Sequence, residues 1–141
     1  MYQRLRHLEG AYPGFRQWFW GQVVPGVNQG SRVIATLSRE SDDFASIAIL
    51  KNSVAEKKIC TLWVAPEFRA CGLASRLIEH AFDLLSSERP LITVASERLS
   101  EFERPLAKFG FQLEQTYPNY YRTGSTEYAF NGPLSIDALI H

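Results

Sequence analysis

Apolar side chains recur along this chain with two periods, and the switches between them lay out its elements. Over Tyr12 to Val24, Phe15, Trp18, Phe19 and Val23 stand at helical spacing. Pro25-Gly26 and Asn28-Gln29-Gly30 are expected to stop that helix and turn the chain. Three strand-like runs follow, Arg32 to Ser38, Phe44 to Leu50 and Lys58 to Val64, joined by polar connections that suit an antiparallel meander. After Gly72, the residues Leu73, Leu77, Ile78, Ala81, Leu84 and Leu85 trace one helical face. Pro90 ends that helix, and Leu91 to Ala95 reads as a short buried strand. Ser100 and Glu103 have capping-box spacing for a further helix carrying Phe102, Leu106 and Phe109, which Gly110 would close. Pro105 falls inside it and should loosen its first turn. Strands over Phe111 to Thr116 and Thr126 to Asn131, with a short strand at Tyr2 to Leu8, complete the pattern. Strands mixed with helices in this order call for an α/β sheet with helices on its faces.

Composition narrows the function classes. A chain of 141 residues, 45% hydrophobic and 21% charged, suits one globular domain spanning residues 1–141. Lys plus Arg and Asp plus Glu are 15 each, so no global field draws the chain to nucleic acid or to a membrane. Cys60 and Cys71 form neither a metal-ligand set nor a disulfide framework, which points to two free thiols, no metal and a reducing cytoplasm. The start lacks the apolar stretch of a secretion signal, and no run approaches the roughly 18 apolar residues of a membrane span. The expectation is a cytoplasmic protein, monomeric or homodimeric.

The chemistry is concentrated in Leu62-Trp-Val-Ala-Pro-Glu-Phe-Arg-Ala-Cys-Gly-Leu-Ala-Ser-Arg-Leu-Ile, a strand, a proline, a loop and the start of the long helix. The first amides of a helix have no internal partners and carry the positive end of its dipole, which suits a phosphate. Gly72 lets the backbone approach a bulky anion, Ala74 keeps a side chain out of the way, and Arg69 adds charge at the rim. Arg69-Ala70-Cys71-Gly72-Leu73-Ala74 resembles the acetyl-CoA-binding motif of the GNAT superfamily: Arg or Gln, two residues, Gly, one residue, Gly or Ala. Val64-Ala65-Pro66 before it and Leu77 after it match as well.

The resemblance implies the GNAT fold, a mixed, mostly antiparallel central sheet of about seven strands with helices on both faces. It implies acetyl-CoA as co-substrate. Amides of Arg69, Ala70, Cys71, Gly72, Leu73, Ala74 and Ser75 would cradle the pyrophosphate, and the backbone of Leu62, Trp63 and Val64 would pair with the pantetheine arm.

A second stretch, Phe109-Gly110-Phe111 followed by Asn119-Tyr120-Tyr121, resembles N-terminal protein acetyltransferases of the ribosomal-protein type. There, tyrosines of this loop help enclose the acceptor's amino terminus. Aromatic packing between two strands is the competing reading for Tyr120 and Tyr121.

The family pattern breaks at the catalytic positions. Leu106 stands where many members have a tyrosine that protonates the departing thiolate, and the central strands carry neither the usual Glu nor a His. Tyr117, Tyr120 and Tyr121 become the candidate proton donors, with Ser96 and Glu97 as groups that could order a water. An α-amino group, with its pKa of about 7.7 to 8.0, is partly neutral at pH 7, whereas lysine at about 10.4 is not. Weak base catalysis therefore favours a peptide amino terminus or a small, weakly basic amine as acceptor. Among the amino-terminal aromatics, Phe15, Trp18 and Phe19 read as core, and Trp20, off their stripe, as a pocket or interface residue. The alternatives are a toxin of this fold acetylating aminoacyl-tRNA, which the balanced charge opposes, and a non-catalytic acyl-CoA-binding module, which Leu106 favours.

Overall fold

The computed structural model describes residues 5–6, 14–38, 44–69 and 72–134. Its helix α1 is made of three consecutive pieces: α-helical Phe15–Trp18, π-helical Phe19–Val23 and α-helical Val24–Gln29. The helix therefore runs through Pro25, where the sequence predicted a stop. Pro25 has no N–H for the carbonyl four residues back, and its ring would press on that carbonyl. The wider i→i+5 turn just before it relieves both. Gly30, left-handed at φ 82°, is the true terminator.

The sheet follows: β1 Arg32–Ser38, β2 Phe44–Asn52, β3 Lys57–Val64, β4 Leu91–Ala95, β5 Leu113–Pro118 and β6 Thr126–Phe130. Their spatial order is β1-β2-β3-β4-β6-β5. All neighbours are antiparallel except β3 and β4, whose parallel crossover is helix α2, Leu73–Leu85. Six strands are described. The further strand expected at Tyr2 to Leu8 lies outside the described residues apart from Leu5 and Arg6, which are helical.

Helix α3, Leu99–Lys108, does not use the Ser100–Glu103 capping box. A 3₁₀ turn over Ser96–Arg98 feeds directly into it, Arg98 sits at the cap with no side-chain hydrogen bond, and Pro105 is held within the helix. The incoming turn already sets helical geometry, so the box has no non-helical residue to cap.

Helices cover both faces. On one, Phe15, Phe19 and Val23 of α1 pack on Ile47, Ile49 and Trp63. On the other, Leu77, Ile78 and Leu85 of α2 and Phe102 and Leu106 of α3 pack on Ala48, Leu50, Ile59 and Leu62. Alternation along β2, and along β3 apart from an irregularity at Cys60 that leaves Ile59 and Leu62 on one face, feeds the two cores from the same strands. Among the described residues no helix is long and apolar enough to cross a membrane, and no three His, Cys, Asp or Glu side chains gather as metal ligands.

Candidate active site

The centre of the sheet is split. β3 and β4 pair only at Lys58 with Leu91 and at Ile59 with Ile92, then separate. The register between β2 and β3 slips at the same level, with Leu50 opposite Ile59 and Ile49 opposite Thr61, so Cys60 is the bulged residue. A bulge bends and twists its strand, which turns β3 away from β4. A gap of about 20 Å³ remains between them, walled by Cys60, Thr61, Leu62, Thr93, Arg98 and Phe102.

On the α2–α3 face the gap shares Phe102 with a groove of about 680 Å³ that runs from Val64 and Arg69 past Gly72, Leu73, Ala74 and Ser75 to α3. Gly72 is the cap of α2, left-handed at φ 80° and ψ 6°, with no side-chain hydrogen bond to the helix start. A Cβ there would meet nothing within 4 Å, so the approach to the first-turn amides is open. The positive φ is what glycine supplies at this corner. Ala70 and Cys71 lie outside the described residues.

Arg69 does more than the sequence suggested. Its Nε donates to the Val64 carbonyl at 3.3 Å and pairs with Glu101 at 3.5 Å. Arg98 donates to the Leu62 carbonyl at 2.8 Å, lies over the Phe102 ring and also pairs with Glu101 at 3.6 Å. Two of the β3 carbonyls expected to face an added chain are thus held by arginines. Trp63, between them, points into the α1-side core.

On the α1 face the gap shares Cys60, Thr61 and Thr93 with a second cavity of about 50 Å³. Phe15 and Trp18 wall it from α1, and Arg32, Lys58 and Tyr121 reach it from the sheet and the β5–β6 loop. Trp18 rather than Trp20 faces this cavity. Trp20 is 52% exposed, because leaving the apolar stripe put it on the outer side of α1.

The three candidate tyrosines part company. The Tyr117 hydroxyl accepts the Leu134 N–H at 3.0 Å, and Tyr117 and Tyr120 pack against Leu91, Ala129 and Leu134. Tyr120 stacks flat on Tyr121 at 4.5 Å, and burial first, then the Tyr121 phenol, pushes its pKa up to about 12. Of the three, Tyr121 alone lines the cavity, its hydroxyl 3.4 Å from the Lys58 Nζ. Burial, followed by Cys60 and Glu127, pushes its pKa above the ordinary 10, so it stays a protonated phenol. The loop is set by Asn119, left-handed at φ 56°, whose side-chain oxygen accepts the Gly124 N–H at 2.7 Å.

Sequence reasoning missed Glu127 on β6, which is 2% exposed. Burial raises its pKa from 4.5 to about 7 against the lowering by Lys58 and by a hydrogen bond with Thr93, and its Oε1 has no hydrogen-bond partner. Thr93 lowers the pKa of both Tyr121 and Glu127 and so lies beside both groups. A carboxyl that titrates near neutrality, with an unsatisfied oxygen in a buried polar cluster, can take up a proton at physiological pH. Glu97 behaves oppositely. Burial pushes it up, but hydrogen bonds from Ser125, its own backbone, Arg122 and Ser96 outweigh that and hold it at about 2. With the Ser125 hydroxyl at 2.7 Å and Arg122 paired to it, Glu97 anchors the β5–β6 loop. Leu106 is buried in the α2–α3 core and contributes packing alone.

The sequence profile of the Acetyltransferase (GNAT) family matches residues 5–111. No curated protein sequence matches the chain. Among solved structures, the ribosomal-protein-S18-alanine N-acetyltransferase of Escherichia coli superposes with a TM-score of 0.61 at 21% identity, over 76% of this chain and 72% of that one. A Bacillus anthracis acetyltransferase in complex with acetyl coenzyme A gives 0.65 at 14% identity, over 77% and 67%. A spermidine N-acetyltransferase chimera of Vibrio cholerae SpeG and hSSAT gives 0.59 at 14%, over 76% and 69%. At these identities the likeness speaks for the fold and not for the acceptor.

Proposed function

The chain belongs to the acetyltransferase (GNAT) family, and from that premise we propose that it moves an acetyl group from acetyl-CoA to a primary amine, entering from opposite faces of the split sheet. The observation that carries this reading is the start of α2, uncapped by any side chain among the described residues and open along a groove that shares a wall with the gap between β3 and β4. Amides of Leu73, Ala74 and Ser75 bind the diphosphate there, Gly72 admits it, and Arg69 flanks it. The β3 edge from Leu62 to Val64 receives the pantetheine arm once Arg98 and Arg69 give up its carbonyls.

The acceptor occupies the α1-side cavity. Its nitrogen attacks the thioester carbonyl carbon, the carbon–sulfur bond breaks, and the amine's proton must leave. Glu127 is the group suited to accept that proton, and Tyr121 is the phenol suited to protonate the thiolate. Thr93, beside both, carries the hydroxyl suited to relay the proton on Glu127 back to Tyr121 and reset the pair. A base near 7 deprotonates an α-amino group or another weakly basic amine more readily than a lysine side chain.

Thermal unfolding and thiol release test the reading together. Acetyl-CoA at about 100-fold over its Kd should stabilise the protein by about 2.7 kcal/mol, or roughly 8 °C at about 3 °C per kcal/mol. Thiol should appear when amines are added. Gly72→Glu should abolish the shift by setting a carboxylate against the diphosphate, whereas Gly72→Asn, which tolerates a left-handed backbone, should keep it. An undiminished shift in Gly72→Glu would mean that the donor binds elsewhere.

A further inference from the structure

Among the described residues, two buried cations on the α1 face have no carboxylate within ion-pair distance. Arg32 is 8% exposed and Lys58 is 3% exposed, and both line the acceptor-side cavity. The Arg32 guanidinium lies 5.4 Å from the Trp18 ring centre and donates to the Cys60 sulfur at 3.3 Å. Its remaining N–H groups meet no acceptor among the described residues. Among the described residues, the Lys58 ammonium has only the Tyr121 hydroxyl. Two acidic groups are nearby. Glu56 is engaged at 3.3 Å by Lys51, a third cation of the same cavity. Glu127 acts on Lys58 through space, and no ion pair joins them.

A buried charge without a partner is costly, and folds keep one where a ligand completes it. Arg32 is also built into place. A Cβ on Gly26 would meet its Cγ at 2.4 Å, so the backbone of α1 lies directly on the arginine stem. The cavity holds about 50 Å³, room for roughly three or four waters or one small planar oxyanion.

We propose that the acceptor amine carries a carboxylate a few bonds from its nitrogen, and that Arg32 and Lys58 receive that carboxylate. The guanidinium fork offers parallel N–H donors to it, while the ammonium closes the other side. The cavity shares Cys60, Thr61 and Thr93 with the gap, so an acceptor anchored in this way directs its amine toward the thioester. This inference rests on the acetyl-transfer reading. The carboxylate has two sources, a free amino acid or the acidic first side chain of a peptide, and the test separates them.

Thiol release is measured with glycine, β-alanine and 4-aminobutyrate, each beside its carboxamide, and with peptide amides that begin with aspartate or alanine. At least one acid should exceed its amide in kcat/KM by about 10- to 100-fold, the scale of a charge-assisted hydrogen bond. A free amino acid as the favoured substrate identifies the first source, and the aspartyl peptide over the alanyl peptide identifies the second. Arg32→Gln and Lys58→Met should each shrink the acid-to-amide ratio of kcat/KM, a selectivity that general loss of structure does not produce. Lys58→Met should also slow both substrates, because Lys58 touches Tyr121 and acts on Glu127. Acids and amides used equally well would overturn the proposal while leaving acetyl transfer standing. If no amine releases thiol, the acetyl-transfer reading fails, and the binding arm still decides the carboxylate site. N-acetylglycine with CoA should then raise the melting temperature where N-acetylglycinamide does not, and equal shifts overturn it.

Discussion

Replacing Glu127 by glutamine should make the protein more stable and less active at the same time. The side chain is buried, and its pKa stands at about 7 against 4.5 for a free carboxyl. A raised folded-state value means that the fold prefers the protonated form. The stability this gives is complete below pH 4.5, declines as pH rises, and is gone above 7. Two and a half pH units at 1.36 kcal/mol each amount to about 3 kcal/mol. The attraction of Lys58 and Arg98 for the carboxylate is already inside that value, because both lower it. Glutamine has the same shape and no charge to desolvate. At pH 8.5 Glu127→Gln should melt roughly 9 °C above the wild type, at about 3 °C per kcal/mol, and the two should converge by pH 4.5. Over the same series, turnover should fall by about 10² to 10⁴, with loss of the acid limb, the fall in rate as pH drops below about 7. Denaturation curves recorded from pH 4.5 to 8.5 give the first quantity, and initial rates of thiol release the second. Parallel melting profiles across that range would refute the desolvation argument, and an unchanged pH–rate profile would refute the role in proton transfer.

Further outcomes separate the neighbouring residues. Tyr121→Phe should lower turnover by about 10-fold or more, whereas Tyr117→Phe should cost stability, about 1 kcal/mol for its bond to the Leu134 N–H, and leave the rate intact. Full activity in both Tyr121→Phe and Tyr120→Phe removes the phenol from the reaction. Gly26→Ala should displace the Arg32 stem, lower stability by about 1 to 3 kcal/mol and erase any preference for acids over amides, as read by melting and by paired kcat/KM values. Glu97, held at about 2, contributes stability above pH 4.5 that is lost as pH falls toward 2. Glu97→Gln should therefore flatten the acid limb of the stability profile and loosen the β5–β6 loop, which hydrogen exchange at Gly124 and Ser125 would report.

The elements that sequence reasoning located well are those whose local pattern and tertiary role agree. Leu73 to Leu85 is amphipathic and buries its apolar stripe, except Leu84, which the pattern put on that face and which is 43% exposed, and Leu91 to Ala95 is buried throughout. The misplaced features are decided by contacts the pattern does not contain. Pro25 is a helix breaker in isolation, and a π turn accommodates it. Ser100 and Glu103 have capping spacing, yet a 3₁₀ turn has already started the helix. Glu127 was nevertheless within reach. In Thr-Glu-Tyr-Ala-Phe the period of two puts Glu127 on the face of Ala129, and a carboxylate sharing the inward face of a strand with alanine marks a buried charge. Lys58 gives the same signal inside β3. The carboxylate stands on β6, the inner strand between β4 and β5, and not on β3 or β4 where the family pattern places it.

The arginines on β3 bear on how fast the reaction can cycle. With Arg98 on the Leu62 carbonyl and Arg69 on that of Val64, the strand edge is never bare. A pantetheine amide docking there swaps one donor for another, so its net gain per bond is small. Tight holding must then come from the phosphate end, while the thioester end docks almost isoenergetically. Under the docking proposed above, the same guanidinium groups would compete for the carbonyls after transfer, shortening the coenzyme's residence and lowering the affinity of that end together.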